Sequence, residues 1–275
     1  MNDAFTGKRI VITGASGGLG RVLCSEFGGR GATIVGLDVD GAALDGLKTQ
    51  LNAAGIKNST FRCDITDETA CAGIAQEIIT EYGGVDILIN NAGITHFSRL
   101  SETAPATIRR VMEVNFMGTV NVTTALLPEL IKSRGNIVAM SSVAGFAPLY
   151  ARTLYSASKH AIHGFFNSLR TELLEQNVRV MVVCPSFIAT QGEAPPPKSA
   201  KDQNQSGIAR PGQATETAGK PLQPEFVAKE ISSGIIKGKS LLIVGPLAKK
   251  SYYVYKIFPG LYERIMIKKM RGELA

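Results

Sequence analysis

Short apolar runs rich in Val, Ile and Leu recur along the chain, and longer stretches with apolar residues every three to four positions separate them. KRIVIT (8–13), ATIVGLD (32–38), STFRCD (59–64), VDILIN (85–90), GNIVAMSS (135–142), VRVMVVCP (178–185) and SLLIVG (240–245) predict strands. Helices are expected between them: from the glycine turn after Thr13 to Gly31, about 41–54, about 67–82, near 102–114, about 116–133 through Asn121 and Pro128, from Tyr155 onward, and over 224–238. Strand and helix taking turns, with strands apolar on both faces, predict an α/β fold: one domain built on a doubly wound parallel sheet of about seven strands. Ligands of such sheets sit beyond the carboxyl ends of the strands, where Asp38, Asp64, Asn90, Ser142 and Cys184 fall.

The first strand runs into GASGGLG (14–20), a helix follows, and the second strand ends on an acid, Asp38. This is the dinucleotide-binding arrangement. Gly14, Gly18 and Gly20 remove Cβ atoms where the backbone turns tightly and approaches a pyrophosphate, whose charge the next helix's N-terminus meets. A carboxylate at Asp38 accepts hydrogen bonds from ribose hydroxyls and repels a 2′-phosphate, and no Lys or Arg stands at Ala15, Ser16, Gly17 or Val39. NAD is therefore expected over NADP.

Further along, Tyr155 and Lys159 stand four apart in a helical segment, so their side chains leave one face. An ammonium beside a phenol favours the phenolate and is expected to bring its pKa from about 10 towards neutrality, where it can pass a proton. Ser142 closes a strand, and the loop after it is long enough to return its hydroxyl to Tyr155. Hydroxyl, phenol and ammonium together suggest acid/base chemistry on an alcohol or carbonyl.

Thr13-Gly14-x-x-x-Gly18-x-Gly20, Asn90-Asn91-Ala92-Gly93 and Tyr155-x-x-x-Lys159 resemble the motifs of the short-chain dehydrogenase/reductase family, in order and over nearly the whole chain. The glycine spacing is similar to that of its simple oxidoreductases rather than its extended epimerase and dehydratase branch. The resemblance implies four catalytic positions. Tyr155 is the acid/base, Lys159 lowers its pKa and holds the nicotinamide ribose, Ser142 binds the substrate oxygen, and Asn115 kinks its helix to hold a water linking Lys159 to solvent. It also implies cofactor contacts from Thr13, Gly14, Ser16, Gly17, Gly18, Leu19, Gly20, Asp38, Asn91, Ala92, Gly93, Tyr155 and Lys159. Asp64 and Ile65 are implied at the adenine, and Pro185, Ile188 and Thr190 at the nicotinamide. After the proline the family commonly has Gly; here Ser186 and Phe187 follow, and a side chain there is expected to narrow the nicotinamide pocket. His96, Phe97, Leu149, Tyr150 and Phe187 are candidate substrate contacts and point to an apolar, steroid-like or lipid-like secondary alcohol or ketone. Each has a plainer alternative, a strand-end cap for His96 and core or interface packing for the others. Packing is expected of His160 and His163.

Composition narrows the function classes. Of 275 residues 44% are hydrophobic and 19% charged, which describes a folded globular chain. The net charge of +7 is concentrated in the last 28 residues, where seven Lys/Arg face two Glu, so no nucleic-acid partner is expected. That tail (248–275) interleaves aromatic and aliphatic residues with the basic ones. Two placements are open: on an anionic membrane surface, or packed on its own subunit or a neighbour in a homodimer or homotetramer. Cys24, Cys63, Cys71 and Cys184 form no CxxC pair, so core thiols in a reducing compartment and no metal site are expected. A first strand directly after Asp3 leads us to expect no signal peptide, and no apolar run of about 18 residues appears. The expected location is the cytoplasm, peripheral to a membrane if the tail binds one. Residues 191–223, rich in Pro, Gln, Gly, Ser and Lys, are expected to form a mobile lid. Two rival readings are a non-catalytic NAD-binding sensor and a membrane-associated scaffold that kept the fold.

Overall fold

All seven expected strands form. β1 (Arg9–Thr13), β2 (Thr33–Asp38), β3 (Asn58–Arg62), β4 (Ile87–Asn90), β5 (Asn136–Met140), β6 (Arg179–Pro185) and β7 (Leu241–Val244) make one sheet. Its order is β3-β2-β1-β4-β5-β6-β7, with every pairing parallel. The computed structural model describes residues 3–189 and 220–271. Thr190 and residues 191–219 of the expected lid lie outside that range.

Alternation along the strands dictates two apolar layers. In β1, Ile10 and Ile12 face one layer with Leu23 and Phe27 of α1 (Gly18–Gly28), Leu47 of α2 (Gly41–Ala53), and Val227 and Ile231 of α7 (Pro224–Ile236). Val11 faces the other, with Ile78 of α3 (Glu68–Tyr82), Leu126 of α5 (Gly118–Lys132) and Phe166 of α6 (Thr153–Glu172). Each fully buried side chain of this size contributes roughly 1.5–3 kcal/mol. Asp40 and Asp67 accept backbone N–H bonds at the starts of α2 and α3, which fixes where those helices begin.

The two helices expected over 102–133 are one interrupted run. α4 (Pro105–Met112) passes through a π-turn, Glu113–Met117, into α5. The extra residue of that turn drives Asn115 inward until it is fully buried.

The tail folds as α8 (Pro246–Ile257) and α9 (Pro259–Arg271), broken at Phe258 because Pro259 opens the second helix. One face packs on its own subunit: Ala248 and Tyr262 cluster with Val143 and Ala147, and Tyr252 meets Phe146 edge-on at 5.2 Å. Tyr253, Ile257, Phe258, Leu261 and Ile265 are exposed. Among the described residues no helix is long and apolar enough to cross a membrane.

Candidate active site

The sheet's order reverses between β1 and β4, and both strands' carboxyl ends open onto one crevice. Thr13 and Asn91 tie that crevice together. The Thr13 hydroxyl oxygen accepts from the N–H groups of Asn91 and Ala92, both at 3.0 Å, and the Asn91 amide donates to the carbonyls of Thr13 and Gly14, both at 3.1 Å. These two side chains build one wall of the cradle in which a cofactor is expected.

Within it, Gly14 takes φ +63°, and a Cβ there would lie 2.9 Å from Ala92 Cα. At Gly20 a Cβ would lie 2.0 Å from the Gly14 carbonyl oxygen, so a side chain would push α1 off the turn. Gly17 and Gly18 leave the start of α1 bare, and Leu19 turns into the core. A dinucleotide pyrophosphate fits such a bare helix start.

The crevice's far corner carries Asp38. One of its oxygens accepts from Ser16 N–H (3.0 Å) and Ser16 Oγ (2.7 Å). Arg21 and Arg62 approach this corner too, but they donate to the carbonyls of Ser16 and Ala43 and of Val39. Asp64 accepts from Thr66 N–H and Oγ1, which holds its carboxyl below the usual carboxylate range. The Ile65 side chain is committed to the core, where a Cβ on Gly118 would strike it, so its expected adenine contact is left to the little of Ile65 that stays exposed.

On the other side of the crevice the four expected catalytic residues gather. Asn115 Oδ1 accepts from Ile94 N–H (2.7 Å), and its Nδ2 donates to Ile94 O (2.9 Å) and Ser158 Oγ (3.0 Å). The π-turn is thereby pinned to α6. Lys159 is buried and its Nζ donates to Met140 O at 2.8 Å; burial brings its pKa down to about 8. Gly93 lies against both, its Cβ position 3.2 Å from Asn115 Oδ1 and 3.6 Å from Lys159 Nζ. Ser142 Oγ accepts from Ala144 N–H (3.2 Å) and stands near enough to the Tyr155 phenol to lower its pKa.

The expected pKa of Tyr155 needs correction. Loss of hydration pushes it above the usual tyrosine value, and the opposing influences are the charge of Arg152 and the Ser142 hydroxyl. Lys159 Nζ stands 5.7 Å from the ring centre and is spent on a carbonyl, so in the free protein it does not outweigh burial.

The sequence alone does not single out Arg152. It precedes Tyr155 by three positions, the same helical face reached from the other side, and its Cζ lies 5.8 Å from the phenol ring centre. The signal was a basic residue at i−3; nothing local said that it would turn in.

The substrate-side candidates come together in part. His96 is buried, and Phe97 lies 5.2 Å from Arg152 Cζ. Ser98 N–H bonds to Ala151 O, which draws this loop to the start of α6, while Leu149 packs towards the tail cluster. Tyr150 and Phe187 are partly exposed, and Phe187 O accepts from Leu222 N–H. Ile188 pairs with Leu222 in a short parallel bridge. Ser186 does not turn as expected: its Oγ lies 2.8 Å from where a Cβ on Gly245 would be, and Gly245 takes φ +95°. The side chain therefore packs into the space that glycine leaves. His163 Nε2 sits 3.3 Å from Cys184 Sγ, with its pKa brought down to about 4 by burial, and packs as expected, whereas His160 is exposed with its Nδ1 on Ser156 O. All four cysteines are buried free thiols.

Comparison with known proteins identifies the family. The short chain dehydrogenase family profile matches residues 8–200. The chain is 36% identical to Dehydrogenase/reductase SDR family member 7B of Bos taurus over 272 residues, 96% of this chain and 82% of that protein. Its fold is similar to that of a short chain dehydrogenase/reductase from Burkholderia phymatum in complex with NAD, with TM-score 0.81, 26% identity, and coverage of 94% and 95% of the two chains. It is also similar to a metagenomic short-chain oxidoreductase in complex with NADP, with TM-score 0.70, 26% identity, and coverage of 87% and 97%. The chain belongs to the short-chain dehydrogenase/reductase family of nicotinamide-dependent oxidoreductases.

Proposed function

We propose that this protein is an NAD-dependent oxidoreductase that interconverts a secondary alcohol and a ketone with a substantial apolar body. One observation carries the reading: Tyr155 has the Ser142 hydroxyl beside it and is flanked by the cations of Arg152 and Lys159, on the same rim as the glycine cradle. A pure dinucleotide sensor needs the cradle but has no use for that phenol.

The nicotinamide supplies the hydride chemistry when bound. The chain's own residues move the proton. Ser142 Oγ already accepts from Ala144 N–H, so its own O–H is free to donate to the substrate oxygen. In reduction the Tyr155 O–H passes its proton to that oxygen; in oxidation the phenolate takes it back, with the charge of Arg152 beside it. Lys159, Asn115 and Gly93 line the floor on which a nicotinamide ribose fits, and Asn115 keeps that floor in place through α6.

The preference for NAD is supported by Asp38. A carboxylate held by Ser16 at the cradle's far corner repels a 2′-phosphate. Titration with NADH and NADPH, followed by secondary alcohols of increasing apolar size, tests this reading. We expect at least about tenfold tighter NADH binding, a difference of about 1.4 kcal/mol, with turnover improving on bulkier alcohols. Tighter NADPH binding overturns the Asp38 argument; cofactor binding without turnover favours the sensor.

For the tail, an anionic membrane surface is the occupant that fits the face left uncovered. It presents Tyr253, Ile257, Phe258, Leu261 and Ile265 beside Lys256 and Lys268, the mixture that interfacial helices use. Such a seat would bring the substrate crevice near membrane-dissolved alcohols.

A further inference from the structure

The reaction described above uses the charge of Arg152 but not its hydrogen-bond donors, nor Thr95 and His96 beside it. Arg152 is drawn inward at the start of α6. Its Nη1 donates to Thr95 Oγ1, and its Cζ lies over Phe97 (5.2 Å) and Tyr155 (5.8 Å). Among the described residues no carboxylate pairs with it. A guanidinium carries five N–H donors; Arg152 is partly buried, and one neutral hydroxyl plus two aromatic faces leave its other donors to solvent or to a ligand. Desolvating a cation without a counter-charge is costly. Next to it His96 is 4% exposed and its Nδ1 has no partner in the structure. Burial and the Arg152 charge hold that imidazole below the usual histidine range, so it stays neutral near pH 7. Two side chains on two elements, the loop after β4 and the start of α6, thus have hydrogen-bonding capacity to spare, with Arg152 Cζ 5.8 Å from the ring of the reacting phenol.

We propose that Arg152, with Thr95 and His96 beside it, forms an oxyanion subsite, and that the substrate is a ketone or secondary alcohol carrying a carboxylate or phosphate ester a few bonds from the reacting carbon. The planar guanidinium fork matches either group with two parallel hydrogen bonds. The anion supplies the missing counter-charge, and the substrate's apolar body lies along Phe97 and the side chains that follow Ser142. The ligand is therefore amphiphilic rather than purely apolar. This rests on the oxidoreductase reading and sharpens its substrate class.

The test compares matched ketones of one alkyl chain length, carrying a carboxylate, a phosphate ester or a neutral methyl ester, on NADH-loaded wild type, R152K and R152M. The expected result is a kcat/KM at least about 30-fold higher for one of the anionic ketones in wild type. That ratio falls to near unity in R152M and is partly restored in R152K, whatever the absolute turnover. The carboxylate and phosphate arms decide which oxyanion is taken. A wild type that prefers the methyl ester, or an R152M protein that keeps the anionic preference, overturns the proposal. A second readout is independent of turnover: thermal stabilisation of the NADH-loaded protein by decanoate or decyl phosphate against decanol. Stabilisation by an anion in wild type that is lost in R152M supports the subsite even where no ketone is reduced, in which case the oxidoreductase reading fails and the subsite stands. Equal stabilisation of wild type and R152M by all three compounds rejects the subsite.

Discussion

Two influences compete at Lys159: the proposed role of its Nζ needs a charge, and burial works against that charge, bringing the pKa from 10.5 to about 8. Below about pH 8 the folded chain holds a buried ammonium, and folding bears that cost in full. Between about 8 and 10.5 the unfolded chain keeps the proton that the folded chain sheds, so this group's contribution to stability rises with pH. Removing the charge relieves roughly 2–3 kcal/mol at neutral pH, against about 1 kcal/mol for leaving the Met140 carbonyl without its donor. K159M is therefore expected to be inactive yet more stable than wild type at pH 7, with the difference shrinking as pH rises towards 10. Urea unfolding of both proteins across that range checks the sign; a variant less stable at pH 7 contradicts it. Tyr155, Lys159 and Ser142 were legible because spacing alone puts them on one face or at one strand end. Arg152 was not, because a basic residue at a helix start goes to solvent in most chains, and only the loop carrying Thr95 and Phe97 draws it in.

For the elements, the glycine turn and the π-turn behave differently as signals. GASGGLG could be read because each glycine answers a steric demand. A Cβ at Gly20 would lie 2.0 Å from a backbone oxygen that cannot move without opening the turn, whereas one at Gly17 would have a single neighbour at 3.4 Å. G20A is expected to cost about 1–3 kcal/mol in stability and to weaken NADH binding at least about tenfold, about 1.4 kcal/mol. G17A should stay within about 0.5 kcal/mol of wild-type stability. Thermal unfolding and NADH titration of the pair check this, and equal effects at both positions contradict the close-packing account. The π-turn at Glu113–Met117 escaped the sequence because one extra residue in a helical turn barely disturbs the apolar period, so Asn115 was placed by resemblance and only the structure shows why it turns inward. Ser186 escaped for a related reason: its direction is set by Gly245, some sixty positions away in the chain, leaving room for its hydroxyl.

Across the whole molecule, the parallel sheet was legible because strands buried on both faces must be apolar at every position, and that pattern survives without any knowledge of contacts. Which way the tail faces was not, since a basic aromatic helix satisfies a subunit surface and a membrane surface equally. One face is now accounted for by Val143, Ala147 and Phe146. The other predicts binding to vesicles containing phosphatidylserine that is salt-sensitive and is lost in I257E/L261E, a double variant at exposed sites that leaves folding intact. Co-sedimentation reads this directly. Equal partitioning of the variant and wild type removes the membrane and leaves that face to another subunit.

The central claim is that Tyr155 hands over the proton when NADH is oxidised by a bound ketone. It is tested most directly by single-turnover oxidation of bound NADH in wild type and Y155F at equal cofactor occupancy. The account predicts that Y155F binds NADH as wild type does and loses about 10²–10⁴-fold in the rate. An unchanged rate at full occupancy would contradict it.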